Sequence, residues 1–170
     1  MGTTLGHVFF IGGTGMLADA SRWIACRAAI LTLAARNPAR LADELKANPV
    51  VMDWSNSIAA RSALPVKQFD IVISWLHDEA IWLARPIENL LKSGGRSIRI
   101  HGAKSLEPAN LRQRNPDPRP DVTHQNVILG WKGSIDDKRW LTNTEIRGGV
   151  ITALTRPNKK TIIVGDARGK

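Results

Sequence analysis

The chain has 170 residues, a formal net charge of +9 and 43% hydrophobic residues. This length fits one domain spanning 1–170, with a core large enough to fold alone, and the composition is that of a globular protein. No apolar run reaches the roughly 18 residues that a membrane span needs, so we expect no membrane partner. A cleavable leader pattern is missing. The one cysteine, Cys26, cannot form an internal disulfide and is expected to pack as a small apolar residue on the first helix. These features predict a cytoplasmic protein, and no Cys/His cluster predicts a metal site.

The basic residues are spread along the chain, with mild density at 112–119 and 159–170. Nucleic-acid recognition usually shows a basic patch within a known motif, often with aromatic residues interleaved, and neither is visible. A basic surface also attracts an anionic dinucleotide. We therefore expect no nucleic-acid partner, and a basic nucleic-acid-binding protein remains only the third hypothesis.

Apolar strand patterns and helical patterns alternate through the first hundred residues. In chain order we predict a strand at 7–11, a helix at 17–27, strands at 29–34 and 50–52, each followed by a helix, a strand at 69–76, a helix at 79–92 and a strand at 97–101. Asn37 is the expected N-cap of the second helix, Ser55 or Ser57 that of the third, and Gly94 with Gly95 should end the fourth. This alternation predicts βαβ units and a parallel sheet.

The pattern changes after residue 102. A proline-rich, polar stretch at 104–122 predicts a loop over the sheet edge. Thr142 and Glu145 form a capping box at the start of a predicted helix. Trp131 and Trp140 are expected to pair across a turn or to face a partner subunit. The remaining predicted elements are a strand at 127–131, a turn at 133–138, a helix at 145–154 and a strand at 161–164. The whole pattern predicts an α/β protein with a Rossmann-like, doubly wound, mostly parallel sheet in three α/β/α layers.

The most informative pattern is the glycine turn after the first strand. Gly12 allows a tight turn, Gly15 lets the backbone approach a pyrophosphate without an intervening Cβ, and Ala18 lets the helix pack closely on the strand. The helix start then presents N–H groups and a positive dipole end to phosphates. An ordinary strand-to-helix turn is the alternative. The predicted phosphate-binding residues are Gly12, Gly13, Thr14, Gly15, Met16 and Leu17.

The residue at the end of the second strand predicts which dinucleotide binds. An NAD site needs an acidic residue about 20 residues past the glycines, to hold the ribose 2′-hydroxyl. No acid occurs between Asp19 and Asp43, and Arg36 stands at that place. A guanidinium suits a 2′-phosphate, so we predict NADP(H), with Asn37 assisting. A surface arginine without a ligand is the alternative.

The residues after the third strand add two candidates to this site. Asp53 could accept a hydrogen bond from the adenine amino group, and Trp54 could flank the ring. Both could equally be helix-start and core residues.

Taken together, these residues resemble the short-chain dehydrogenase/reductase superfamily, in a small atypical branch. The similarity rests on the glycine turn, the Arg36–Asn37 strand end, Asp53 and the strand-four run, and it is weaker at 124–130 and 139–146. It covers roughly residues 7–155. The resemblance implies an NAD(P)-dependent oxidoreductase that acts on a small carbonyl or alcohol substrate, and a homodimer. It also implies that Ser74 and Trp75 line the cofactor site.

The chain departs from this family at its catalytic centre. The family's Tyr-x-x-x-Lys motif cannot exist here, because the chain has no tyrosine. As replacements we consider His77 or His124 as the proton donor, and Ser105 with Lys104 to polarise a carbonyl. Solvated loop residues are the alternative interpretation. Two functional hypotheses remain: an oxidoreductase without the tyrosine, and a non-catalytic NADP(H)-binding regulator or redox sensor.

Overall fold

Nine strands and six α-helices occur in the part of the chain that this computed structural model describes, namely residues 4–114, 117–134 and 136–166. The strands are β1 His7–Ile11, β2 Ile30–Ala35, β3 Asn48–Val51, β4 Phe69–Trp75, β5 Leu91–Gly102, β6 Thr123–Leu129, β7 Trp131–Lys132, β8 Arg139–Trp140 and β9 Thr161–Val164. The helices are α1 Ala18–Ala25, α2 Ala39–Leu45, α3 Ser57–Ser62, α4 Ala84–Glu88, α5 Pro108–Arg114 and α6 Asn143–Thr155. Short 3₁₀ turns cover Gly15–Leu17, Asp78–Leu83 and Ala103–Leu106.

Seven strands form one parallel sheet in the order β3-β2-β1-β4-β5-β6-β9. Residues of α1, α2 and α6 pack in the core on one face, and residues of α3 and α4 pack on the other. The strand order reverses direction between β1 and β4, and ligands of such sheets bind beside the carboxyl ends of the strands at that point. The predicted three-layer, doubly wound fold is confirmed.

The central strand β1 shows why this sheet is buried on both faces. Val8 and Phe10 belong to the core cluster under α1 and α6, whereas Phe9 and Ile11 belong to the cluster on the opposite face. Each of these four side chains is 0% exposed. Successive side chains of a strand alternate between faces, so a continuous apolar run is what a strand covered by helices on both sides requires.

A small hairpin stands apart from the main sheet. Strands β7 and β8 pair antiparallel, and Trp131 lies opposite Trp140. Their ring centroids are 5.1 Å apart at 74°, which is an edge-to-face pair. The predicted pairing across the turn is confirmed. Ile135 of this turn, like Pro116 of the proline-rich segment, lies outside the described residues.

Several predicted boundaries in the first half are wrong. Asn37 does not cap α2, which begins after Pro38 without a side-chain cap. Neither predicted serine caps α3; instead Asn56 accepts a hydrogen bond from the Ala59 amide. Cys26, which lies directly after α1, is exposed rather than packed as a small apolar residue.

The second half differs more. The predicted helix at 79–92 is a 3₁₀ turn followed by the short α4, and Gly94 and Gly95 lie inside β5 instead of ending a helix. The predicted loop at 104–122 contains α5, because Pro108 provides a favourable first helical residue. Strand β6 begins at Thr123, not at residue 127. The capping box of Thr142 and Glu145 is confirmed.

Two further findings concern membrane spans and metal ligands. Within the described ranges, no helix is long and apolar enough to cross a membrane. The same ranges hold no group of three or more His, Cys, Asp or Glu side chains placed to hold a metal ion.

Candidate functional site

Two glycines of the turn after β1 adopt a backbone conformation that favours glycine. Gly12 and Gly15 have φ angles of +76° and +61°, a region that side chains other than glycine rarely adopt. A Cβ on Gly12 would lie 2.9 Å from the Trp75 carbonyl oxygen, and one on Gly13 would lie 2.7 Å from Ser21 Oγ. A Cβ on Gly15 would meet nothing within 4 Å. At Gly12 and Gly13 a side chain would collide with neighbouring atoms. At Gly15 there is space for a side chain, but the positive φ angle favours glycine.

The turn is fixed to the layers below it. The Gly12 amide donates to the Ala34 carbonyl at 2.9 Å, and Ser21 Oγ donates to the Gly13 carbonyl at 2.5 Å. The side chain of Leu17 is 0% exposed and belongs to the core, so it can face a ligand only through its backbone. These contacts hold the turn rigidly between β1 and the start of α1.

A cavity of about 380 Å³ opens at the carboxyl ends of β1, β2 and β4. It brings together many of the residues predicted for the cofactor, and one predicted for catalysis. Among the residues predicted for the cofactor, those not in its wall are Gly13, Gly15, Leu17, Asp53 and Ser74. The lining residues are Gly12, Thr14, Met16, Ala35, Arg36, Asn37, Trp54, Trp75 and His77.

The cation of this cavity is Arg36. Its side chain is exposed, its Cζ atom lies 5.9 Å from the centre of the Trp54 ring, and it has no ion pair within the described residues. Asn37 beside it is exposed and does not cap α2. A positive charge and an amide therefore stand together at the rim of the cavity.

Two predicted residues are engaged elsewhere. The Asp53 carboxylate accepts hydrogen bonds from the Ser55 hydroxyl at 2.8 Å and the Ser55 amide at 3.0 Å. The bond from the Ser55 hydroxyl is the largest cause that lowers the pKa of Asp53, and the charge of Arg36 adds to it. Ser74 is 3% exposed and borders a small internal void beside Arg99 and His101. Neither side chain lines the nucleotide-sized cavity.

A second cavity, of about 290 Å³, includes Asp78, the residue that follows His77 of the first cavity. Ser105, which is 2% exposed, and Lys104 line it from the 3₁₀ turn after β5. Arg114 of α5 pairs with Asp78 at the same cavity and donates to the Leu76 carbonyl at 3.2 Å. Within the described residues Lys104 has no ion pair. This cavity offers a hydroxyl and a cation to a small polar molecule.

His77 stands between the two cavities. It lines the first, and the next residue, Asp78, lines the second. Its ring meets the Trp75 ring edge-on, with centroids 5.7 Å apart. Its exposed imidazole therefore belongs to the wall of the first cavity, next in the chain to the second.

The structure places His124 at the opposite edge of the sheet. It lies near the amino end of β6, with Ser97 of β5 as its neighbour in register. Its Nδ1 atom is 3.2 Å from Glu88 Oε1, and its Nε2 atom is 3.0 Å from the Arg119 carbonyl oxygen. The prediction put His124 before a strand that starts at 127. Because β6 runs parallel to β4 and β5, its amino end lies at the edge opposite their carboxyl ends, so His124 is not brought together with His77 and Ser105.

A buried histidine lies near the second cavity. His101 is 4% exposed, and its Nε2 atom lies 3.0 Å from Asn126 Oδ1, while Nδ1 has no hydrogen-bond partner. Burial lowers the pKa of His101 to about 4. The imidazole is therefore neutral near pH 7. Ile98 and Ile100 alternate with polar residues on β5, a pattern typical of a strand with one solvated face, so the sequence pattern does not indicate that His101 is buried.

Comparison with solved structures supports the fold. BdcA in complex with NADPH is 16% identical, covers 98% of this chain and 97% of its own, and has a TM-score of 0.69. A short-chain dehydrogenase/reductase of Brucella melitensis is 13% identical, with coverages of 99% and 98% and a TM-score of 0.70. A gluconate 5-dehydrogenase of Burkholderia cenocepacia, in complex with NADP and tartrate, is 15% identical, with coverages of 94% and 93% and a TM-score of 0.65.

At the sequence level no family model matches the chain, and no curated protein matches it. The chain thus has the Rossmann-type fold of the short-chain dehydrogenases/reductases, and the expected resemblance is confirmed at the level of the fold.

Proposed function

We propose that the chain binds NADP(H) in the cavity at the carboxyl edge and acts as an oxidoreductase on a small carbonyl or alcohol. The observation that carries this proposal is the convergence of the glycine turn, Arg36 and Trp75 on one cavity at the β1–β4 switch point. Structural neighbours crystallised with NADPH or NADP support it by analogy of fold.

The residues of the cavity fit this nucleotide. The open side of Gly15 lets a pyrophosphate approach the backbone at the start of α1. Arg36 has no carboxylate partner within the described residues, so its guanidinium is free to take a 2′-phosphate. Trp54 offers an aromatic face beside Arg36. A buried acid at the position of Arg36 would have favoured NAD(H) instead.

Hydride transfer also needs a proton donor and a group that holds the substrate oxygen. The bound nicotinamide would supply or accept the hydride. We assign proton transfer to His77, because it lines the first cavity beside Asp78 of the second and an imidazole can donate and accept protons. Ser105 and Lys104 would hold the substrate oxygen from the second cavity.

Cofactor choice is tested by titrating the protein with NADPH and NADH and following tryptophan fluorescence. We expect NADPH to bind more tightly than NADH. Arg36→Gln should weaken NADPH binding by about 10- to 100-fold, because it removes a charge-assisted contact, and should leave NADH nearly unchanged. Arg40→Gln is the matched control, since this exposed arginine makes the same charge change outside the cavity.

Two outcomes would contradict the proposed cofactor. If Arg40→Gln weakens NADPH as much as Arg36→Gln does, the effect is one of overall charge. If neither nucleotide binds the unaltered protein, the glycine turn is only structural and the oxidoreductase proposal fails.

A second candidate is a non-catalytic NADP(H)-binding regulator or redox sensor. It is favoured by the lack of tyrosine and by the burial of Ser105 and His101. NADPH oxidation with a panel of carbonyl compounds separates the two. Turnover that falls by about 100-fold in His77→Ala, but not in His124→Ala, supports the enzyme and its donor. NADPH binding without any turnover supports the regulator.

A further inference from the structure

A large cavity lies at the amino edge of the sheet, opposite the nucleotide cavity. Its volume is about 680 Å³, and it shares no lining residue with the cavity that holds the glycine turn. Its walls come from the starts of β4 and β5 and from residues at the ends of α1 and α6. We call it the amino-edge cavity. Neither the proposed nucleotide nor its substrate uses it.

An irregularity in β5 shapes this cavity. Phe69 of β4 pairs with Leu91, whereas Ile71, two residues later, pairs with Arg96, which is five residues later in β5. The three extra residues of β5 form a bulge. Such bulges redirect side chains. Here the bulge carries Lys92 and Arg96 into the wall of one cavity, with two glycines between them.

The glycines leave the backbone of the bulge open. Gly94 has a φ angle of +76°, and a Cβ there would meet nothing within 4 Å. A Cβ on Gly95 would lie 2.8 Å from the Lys92 carbonyl oxygen. A ligand can therefore come close to the chain at Gly94, although the Gly94 amide itself donates to the Asp121 carbonyl at 2.8 Å.

The charge of the amino-edge cavity is positive. Three cations, Arg27, Lys92 and Arg96, face one carboxylate, Asp70. Lys92 Nζ lies 2.8 Å from Asp70 Oδ1, and the other carboxylate oxygen accepts the His7 amide at 2.7 Å. The Lys92 bond is the main cause that lowers the pKa of Asp70, so the carboxylate stays ionised and neutralises one cation. Two cations are left without a carboxylate.

Those two cations are held in place by neutral groups. Arg27 is exposed, lies over the Trp23 ring with its Cζ 4.1 Å from the centroid, and donates to the Trp23 carbonyl at 3.2 Å. Arg96 donates to the Ala153 carbonyl at 2.8 Å, to Gln125 Oε1 at 2.6 Å and to the Leu154 carbonyl at 3.2 Å. An anion in the cavity would supply a countercharge to both arginines.

We propose that the amino-edge cavity is a second binding site, for a small molecule that carries an oxyanion on an apolar body. The cations would hold the oxyanion, whether phosphate or carboxylate. Trp23, Ile71 and Leu154 provide the apolar wall. The volume is that of a site for a small molecule, and the combination of apolar wall and few polar groups is typical of such sites.

Nuclear magnetic resonance of the full chain, labelled with ¹⁵N, tests this site with phenyl phosphate as the probe. We expect saturable shifts at the Gly94 and Gly95 amides and at the Trp23 indole N–H, and none at Gly12 or Gly15. Arg27→Gln should weaken binding by about tenfold, because one charge-assisted contact is lost. Arg61→Gln is the matched control, since Arg61 also lies over a tryptophan, Trp82, but outside the cavity.

The probe is then divided into its parts. Inorganic phosphate and phenol should each bind more weakly than phenyl phosphate, and benzoate should bind at the same amides. If phenol binds as tightly as phenyl phosphate, the site does not recognise the oxyanion. If inorganic phosphate binds as tightly, the site does not recognise the apolar body. Shifts that do not saturate, or that Arg61→Gln weakens as much as Arg27→Gln, would overturn the site itself.

Discussion

The first four strands and the strands after them bury their side chains in different ways. In β1 the residues Val8, Phe9, Phe10 and Ile11 are apolar and completely buried, so both faces are closed by hydrocarbon. After residue 80 the buried positions become partly polar. Six of the nine buried polar or charged residues within the described ranges lie there: Glu88, Ser97, Arg99, His101, Ser105 and Gln125.

Strand β5 shows the contrast within a single element. Ile98 and Ile100 join the apolar core together with α6. Arg99 points to the other face, where it donates to the Arg114 carbonyl at 2.7 Å and lies 3.7 Å from the Glu88 carboxylate. His101 reaches Asn126 on the same face. One face of the second half therefore depends on specific partners, whereas the first half depends on shape and volume.

This difference predicts how each half fails. A truncated apolar side chain leaves a cavity, and no single change elsewhere fills it. A removed charge leaves its partner buried without compensation, and removal of that partner can restore much of the loss. The largest of the following effects tests this distinction directly.

Glu88→Ala should lower the free energy of unfolding by about 3–5 kcal/mol, because it leaves the buried Arg99 guanidinium without a countercharge. Urea unfolding at pH 7.5 measures the change. Adding Arg99→Met to the same chain should recover at least half of the loss, since no charge then remains buried. Phe10→Ala, in the first half, should lose about as much through its cavity.

The rescue is the decisive observation. If the double variant is as unstable as Glu88→Ala, the Arg99 charge is not the source of the loss, and the two halves do not differ in the way proposed. His124, which lies 3.2 Å from Glu88, should then be replaced by Phe to ask whether it is the orphaned partner.

The same contrast explains how far the sequence predicted the structure. The glycine turn, the strand β1 and the residues at the end of β2 could be located because apolar runs and turn residues are local patterns. These local patterns also brought Arg36, Trp54 and Trp75 to one cavity. The capping box at Thr142 is local as well, and it is confirmed.

What could not be predicted depends on tertiary contacts. The start of β5 at Leu91 requires a bulge, which exists only because β4 lies beside it. Helix α5 buries no side chain, so it carries no apolar periodicity. The start of β6 at Thr123 also depends on such contacts, because Gln125 bonds to α6 and Asn126 bonds to His101 of β5.

The next effect concerns pH. The pKa of His101 is about 4 in the folded protein, against 6.5 for the unperturbed side chain, because burial disfavours the imidazolium. A depressed histidine binds a proton in the unfolded chain first, so its stabilising contribution is full above pH 6.5 and is lost as the pH falls towards 4. Between pH 7.5 and 4.5 this group should cost roughly 2–3 kcal/mol of stability.

Urea unfolding midpoints at the two pH values, in the unaltered protein and in His101→Gln, measure how much His101 contributes to the loss of stability. The variant keeps a neutral group that can bond Asn126. On acidification from pH 7.5 to 4.5 it should lose roughly 2–3 kcal/mol less stability than the unaltered protein does. His77→Gln is the control, because His77 is exposed and should leave the pH dependence as it is. Parallel pH profiles of all three proteins would contradict the burial of a neutral imidazole.

The smallest effect reverses the comparison, because here the second half has the more complete local structure. Thr142 Oγ1 accepts the Glu145 amide at 3.2 Å, and Glu145 Oε2 accepts the Thr142 amide at 2.8 Å. At α3, Asn56 makes only the forward bond, to the Ala59 amide at 3.1 Å. Removing either cap should cost about 0.5–2 kcal/mol, with Thr142→Ala near the upper end and Asn56→Ala near the lower.

Helix length sharpens this expectation. Helix α6 has 13 residues and buries Ile146, Val150 and Leu154 in the core, so fraying of its first turn disturbs packing. Helix α3 has six residues and buries only Ala60, so it can fray at little cost. Urea unfolding of Thr142→Ala and Asn56→Ala measures the difference. Equal losses would mean that neither the reciprocal hydrogen bond of Glu145 nor the packing of α6 strengthens the cap. The stability of helix starts would then not differ between the first and second halves of the chain.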